Sequence, residues 1–262
     1  QRKPASAPRS APLPYNQGMR PFDRLRTGPL VISHAACGGH APENTLAGVR
    51  AALDIGADAI EIDVQASADG IPVLMHDLTL DRTTSGKGDL SSLTAAQLAT
   101  LDAGGEPVPT FAQALELTRG RALLVAEIKR PGCEEALAEV VRSAGALADV
   151  MAWSFLPPAL EAMRRAEPRL PGGLLLAPQS MGNWTEMWEL ALRLGLQAVS
   201  VFHLSLSPEV VAEARRSGLT VYAWTADAEA DIQRLIELDV DGIVTNFPDR
   251  ALALLGRPTG RP

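Results

Sequence analysis

From Leu30 onward the chain alternates short apolar runs with longer amphipathic ones. The short runs, at 30–33, 59–64, 73–75, 123–128, 150–154, 173–176, 198–201, 220–224 and 242–245, have the length and apolar content of buried strands. Between them the spacing turns helical. Residues 43–53 carry Leu46, Val49 and Leu53 on one face with Pro42 or Asn44 near the start, and Ser207-Pro208-Glu209 opens another helix with Ser207 as N-cap and Pro208 at the first helical position. Alternating strands and helices predict a parallel α/β fold, and the count favours a closed (β/α)8 TIM barrel over an open sheet.

Nine strands are one too many for that barrel. Val64 and Val73 are separated only by a short polar segment carrying Asp69-Gly70, too short for a parallel crossover but suited to a hairpin turn. The run 73–75 is therefore predicted as a β-hairpin extension after strand 2, which leaves the barrel at Asp63 and returns at His76.

Residues 1–28 differ from the rest: five prolines interrupt them and their basic residues face a single acid, Asp23, so they are expected to form a disordered tail. One barrel domain is expected over 29–256, with a short C-terminal tail at 257–262. The 262 residues are 46% hydrophobic, with a net charge of −7, which supplies a core but no basic footprint for nucleic acid or an anionic membrane surface. Cys37 and Cys133 are far apart and read as free thiols. The chain contains no apolar run of about 20 residues and no secretory-type leader, so a cytoplasmic address without an integral membrane segment is expected. Nothing in the sequence sets the oligomeric state.

Candidate chemistry concentrates between His34 and Arg82, where His34, His40 and His76, three of the four histidines, surround Glu61-Ile62-Asp63. Residues i and i+2 on a strand share a face, so Glu61 and Asp63 point together, as do Glu127 and Lys129. The interleaved Ile60, Ile62 and Val64 are apolar and face the helices, which sends the acids toward the barrel axis. Converging carboxylates call for a cation, and oxygen ligands favour Mg²⁺ or Ca²⁺ over zinc. His34 and His76 end strand-like runs at the same rim and suit acid/base work. His40, in a loop, and His203, which follows strand six without a matching acid, read as bystanders or substrate-periphery residues. Cys37 lacks the basic surroundings of a thiolate nucleophile, and Gly86-Lys87-Gly88 is a turn rather than a phosphate-binding loop.

The blocks His34…Gly39…Ala41-Pro42-Glu43-Asn44-Thr45, Gly56-Ala57-Asp58-Ala59-Ile60-Glu61-Ile62-Asp63-Val64 and Asp69-Gly70-Ile71-Pro72-Val73-Leu74-Met75-His76-Asp77 resemble the glycerophosphodiester phosphodiesterase family. The resemblance continues through Leu80-Asp81-Arg82-Thr83-Thr84, Glu127-Ile128-Lys129, Ser154-Phe155, Ala223-Trp224-Thr225 and Asp241-Gly242-Ile243-Val244-Thr245-Asn246-Phe247-Pro248, spanning 31–255. It implies a metal-dependent hydrolase on a TIM barrel that converts small-molecule glycerophosphodiesters to glycerol 3-phosphate and an alcohol. Carried over by residue, Glu61, Asp63 and Glu127 would bind the cation and His34 and His76 would serve as acid and base. Lys129 would contact phosphate, Glu43 would lie near the metal or the glycerol hydroxyls, and Trp224 would pack on the glycerol portion.

One position departs from the family pattern. His-Arg-Gly is expected at strand one, and this chain has His34-Ala35-Ala36. The arginine is the expected phosphate clamp, and a charge-assisted hydrogen bond is worth about 1.5–3 kcal/mol. With the remaining site residues present, an enzyme of reduced or shifted activity is expected. The rival readings are a lysophospholipase D or phospholipase C-like phosphodiesterase and a barrel that binds phosphodiesters without cleaving them. Trp184 and Trp188 could give the first rival an apolar rim, although their i, i+4 spacing is also that of ordinary helix packing.

Overall fold

A computed structural model describes residues 28–178 and 183–260. The tail expected over 1–28 lies, except for Gly28, outside the described residues. Strands β1 (Leu30–Ser33), β2 (Ala59–Ala66), β3 (Pro72–Leu74), β4 (Leu123–Ile128), β5 (Val150–Ser154), β6 (Gly172–Leu176), β7 (Ala198–Phe202), β8 (Thr220–Trp224) and β9 (Gly242–Thr245) form one sheet. β1 pairs in parallel with both β2 and β9, which closes the ring of eight; β3 stands outside it, antiparallel to β2.

Each strand falls within two residues of its predicted limits. The Asp69-Gly70 turn forms as expected: Gly70 takes φ +78, and Val64 pairs with Leu74. The extension is larger than a hairpin, however. Residues up to Pro109, including the short helix α2 (Ala95–Leu98), form a flap whose own buried cluster contains Val73, Met75, Leu80, Leu90 and Leu98. Its irregular backbone has no simple hydrophobic period, which is why the sequence pattern passes over it.

Helices α1 (Leu46–Ile55), α3 (Phe111–Thr118), α4 (Glu134–Ser143), α5 (Pro157–Ala166), α6 (Trp184–Arg193), α7 (Pro208–Arg216), α8 (Glu229–Glu237) and α9 (Pro248–Leu254) complete the βα units. Ser207 caps α7 through the Val210 N–H, with Pro208 in the first turn, as expected. The first helix begins later than predicted. Thr45 is its cap, accepting from the Gly48 N–H, because Asn44 is drawn toward β2 by Asp63.

Alternate strand residues fill the barrel axis, where the rings of Trp153 and Tyr222 meet at 5.1 Å. Two glycines make room for them. A Cβ on Gly173 would lie 2.7 Å from the Trp153 ring, and one on Gly242 would lie 2.6 Å from Tyr222. At the far end of the chain, Arg257 forms two 2.7 Å bonds to Asp58, and the Gly260 N–H reaches the Ile55 carbonyl.

Candidate active site

Strand alternation carries Glu61 and Asp63 inward on β2, and the β2–β4 register sets Asp63 beside Glu127. These three residues are 3%, 1% and 8% exposed, so their charges are largely cut off from water. One oxygen from each lies within 4.8 Å of the others. Lys129 enters the group from the end of β4, with Nζ 2.6 Å from Glu127 Oε1 and 3.3 Å from Asp63 Oδ1. Asp63 is oriented by Asn44, whose Nδ2 donates to Asp63 Oδ2 at 2.7 Å while its Oδ1 accepts from the Asp63 N–H at 2.9 Å. Glu61 Oε2 accepts from the Ala35 N–H at 2.8 Å.

One ammonium cannot balance this group. Burial, followed by the charges of Asp63 and Glu127, pushes Glu61 well above the usual carboxylate range. Burial and then Asp63 raise Glu127. Burial would lower the Lys129 ammonium, but Asp63, Glu127 and Glu61 outweigh it and hold that group above its ordinary value. Glu61 Oε1 is buried with no hydrogen-bond partner among the described residues. An orphaned carboxylate oxygen amid an all-oxygen donor set fits a hard divalent cation. Glu61, Asp63 and Glu127 are the residues that could hold it.

Both predicted histidines stand at this rim. His34 Nε2 lies 4.0 Å from Glu61 Oε2, while its Nδ1 is 2.9 Å from Asn246 Oδ1. His76 arrives on the flap, stapled by Gln65, whose Nε2 donates to the carbonyls of Met75 at 2.8 Å and Asp77 at 2.7 Å. His76 Nδ1 is 2.7 Å from Asp77 Oδ1. Arg82, and more weakly His76, hold the Asp77 carboxyl well below its usual range. A carboxylate only accepts, so His76 Nδ1 donates and Nε2 remains for chemistry. Arg82 bridges Asp77 to Glu43, reaching the two Glu43 oxygens at 2.9 and 2.6 Å. Across the mouth Trp224 meets Phe155 and Phe202 edge-on at 5.3 and 5.5 Å, with its Nε1 donating to the Ser200 carbonyl at 3.0 Å.

The remaining candidates separate cleanly. His40 bonds Asp249 at 2.8 Å. His203, expected to lack an acid, has Asp231 at 3.8 Å, a neighbour brought by α8 that strand-end reading could not see. Cys37 is fully buried and its thiol is pushed up by that burial, which removes it as a nucleophile. Trp184 and Trp188 stack at 5.2 Å within α6, and Trp188 is buried, so the pair serves helix packing and gives no support to an apolar rim. Sequence reasoning missed Gln65, Asp77, Arg82, Asp227 and Asn246 as supports of the site. Gln65, Asp227 and Asn246 share one local signal, a polar residue at or near the end of a buried strand, whereas Asp77 and Arg82 lie in the flap beyond β3.

Fold and site together define a barrel hydrolase whose acid group and two histidines lie at the carboxyl ends of the strands. The glycerophosphoryl diester phosphodiesterase family model matches residues 34–250, and the chain belongs to this family. The chain is 35% identical over 240 residues to a glycerophosphodiester phosphodiesterase of Caldanaerobacter subterraneus, an alignment covering 86% of this chain and 97% of the relative. Among solved structures, it is similar to a glycerophosphodiester phosphodiesterase of Agrobacterium tumefaciens, with TM-score 0.77 and 30% identity over 86% of this chain and 99% of the other. It also resembles an Oleispira antarctica phosphodiesterase solved with the product sn-glycerol-3-phosphate, with TM-score 0.77 and 28% identity over 87% and 97% of the two chains.

Proposed function

We propose that this chain hydrolyses small-molecule glycerophosphodiesters to glycerol 3-phosphate and an alcohol, with Mg²⁺ or Ca²⁺ held by Glu61, Asp63 and Glu127. The observation that carries the reading is the unsatisfied, buried Glu61 Oε1 in a three-carboxylate group flanked by two histidines. The product bound to the Oleispira relative supports the same phosphoryl product here. No helix among the described residues is long and apolar enough to cross a membrane.

A phosphodiester monoanion resists attack until its oxygens are polarised, and a bound divalent cation supplies that charge. Lys129 adds a partly buried ammonium for the phosphate, within a chain of net charge −7 that otherwise repels anions. One of His34 and His76 takes the proton of the attacking nucleophile, either water directly or a substrate hydroxyl whose cyclic phosphate water then opens, and the other protonates the departing alkoxide. Trp224, with Phe155 and Phe202, forms an apolar wall for the glycerol carbons. Each Glu43 oxygen keeps a second lone pair beyond its bond to Arg82, available to a glycerol hydroxyl.

The test is release of glycerol 3-phosphate from glycerophosphocholine and glycerophosphoethanolamine. Chelator should abolish it, and Mg²⁺ or Ca²⁺ should restore it. His34→Ala and His76→Ala should each lower kcat by roughly 10²–10⁴-fold. A metal-loaded chain that releases nothing from either substrate would be a binding barrel, and the hydrolase reading would fall.

A further inference from the structure

An imidazole serves as acid or base through one nitrogen, and the loop after β9 determines which nitrogen of His34 that is. The Asp227 carboxylate accepts from the Asn246 N–H at 2.8 Å, from Asn246 Nδ2 at 2.8 Å and from Thr245 Oγ1 at 3.1 Å. A carboxylate accepts hydrogen bonds from an amide NH₂ and cannot donate to an amide oxygen, so the Asn246 side chain has one orientation, with Nδ2 on Asp227. That turns Oδ1 toward His34, 2.9 Å from Nδ1. An amide oxygen has no proton to give, so the bond exists only when Nδ1 carries the hydrogen. In the neutral ring the lone pair is then on Nε2, the atom 4.0 Å from Glu61 Oε2. The glycine turn after β1 closes around this arrangement: a Cβ on Gly38 would stand 3.0 Å from Asn246 Oδ1, and one on Gly39 would stand 2.7 Å from the Phe247 ring.

We propose that Asp227 and Asn246 are positioning residues that hold His34 as its Nδ1–H tautomer, so that Nε2 is the atom that exchanges a proton with substrate. The second half of this statement rests on the hydrolase reading above; the first half does not. The two histidines of the site are thereby oriented by different means. His76 donates to a carboxylate clamped by Arg82, whereas His34 donates to a neutral amide relaying a carboxylate behind it.

The experiment uses the Mg²⁺-loaded full chain with ¹⁵N-labelled histidine, at a pH where the ring is neutral, with the His34 signals identified by their loss in His34→Ala. Two-bond ¹H–¹⁵N correlations should show a protonated Nδ1 and an unprotonated Nε2 in the wild type. In Asp227→Asn the second amide lets Asn246 turn its Nδ2 to His34, so the proton should shift toward Nε2. kcat should fall about 10- to 100-fold while KM changes by less than about threefold, since geometry and tautomer act in the transition state rather than in binding. The exchange variant Asp227→Asn/Asn246→Asp reverses the donor within the relay yet keeps an acceptor facing Nδ1. It should restore the Nδ1–H tautomer and most of kcat, a recovery that a merely structural role does not produce.

A wild-type ring protonated on Nε2 would overturn the proposal, as would an Asp227→Asn variant with unchanged tautomer and kcat, or a tautomer shift with no loss of kcat. If Asp227→Asn fails to fold, the wild-type spectrum and the exchange variant still decide. A wild type that shows the Nδ1–H tautomer but no turnover would sink the hydrolase reading while supporting the relay.

Discussion

Ala35 and Ala36 occupy left-handed backbone, φ 47 and 68, where a residue with a Cβ costs about 1–2 kcal/mol. The turn is held by Glu61: its Oε2 accepts from the Ala35 N–H at 2.8 Å, and its carbonyl accepts from the Ala36 N–H at 2.7 Å. Strain at the site thus delivers a donor to a carboxylate of the buried acid group, the kind of place where such strain is retained. The same turn presents position 35 beside His34, where the sequence resemblance leads to the expectation of arginine. Ala35→Arg keeps the backbone geometry and adds a phosphate clamp, so kcat/KM for glycerol 3-phosphate release should rise by roughly 10- to 100-fold. A variant with no gain in turnover or phosphate affinity would show that Lys129 and the cation already suffice.

At the scale of elements, the barrel depends on matching its two axial aromatics to glycines on neighbouring strands. Gly242 lies opposite Tyr222 in the β8–β9 register, and an added methyl would enter the space of the fully buried ring. Gly242→Ala should therefore cost roughly 1–3 kcal/mol by overpacking, read as a lower denaturant midpoint with an unchanged slope. An unchanged midpoint would mean that Tyr222 can shift freely. The β2–β3 hairpin shows how much of an element is local. Its turn residues, Asp69 and Gly70, are legible in sequence and turn the chain back toward the rim, where Gln65 fixes the segment that carries His76. The flap behind it is not legible, because its cluster joins Val73 to Leu98 and Val108 across irregular backbone that carries no period.

For the molecule as a whole, the acid group couples stability to pH and metal. Glu61 and Glu127 are raised in the folded chain, so without a cation the native state binds protons more tightly than the unfolded state. Stability from these two groups is then present at low pH and lost as pH rises from the ordinary glutamate range, about 4.3, through their raised folded values. Asp77 and Glu167, held low by Arg82 and Arg169, act in the opposite sense, with stability lost as pH falls below the carboxylate range. The difference between metal-free and metal-loaded protein isolates the first effect. Tm in chelator should decline as pH rises above the ordinary glutamate range, while saturating Mg²⁺ or Ca²⁺ should raise Tm and remove the decline, because the ion binds the ionised folded site. Parallel Tm–pH curves would show that these carboxylates are not the metal ligands.

The barrel order, the inward face of Glu61 and Asp63, the hairpin and the two histidines could all be read from the chain because each depends on periods of two or 3.6 residues or on a turn pair. These constraints act over a few residues and leave a mark in composition. What lay beyond the sequence depends on which loops and strand ends meet once the barrel closes. Examples are Arg82 joining Glu43 to Asp77 and Asn246 meeting a histidine 212 positions away. Any polar side chain near the end of a strand could have stood there. Barrel closure, by setting which strand ends face one another, selected those that do and with them the proton on His34.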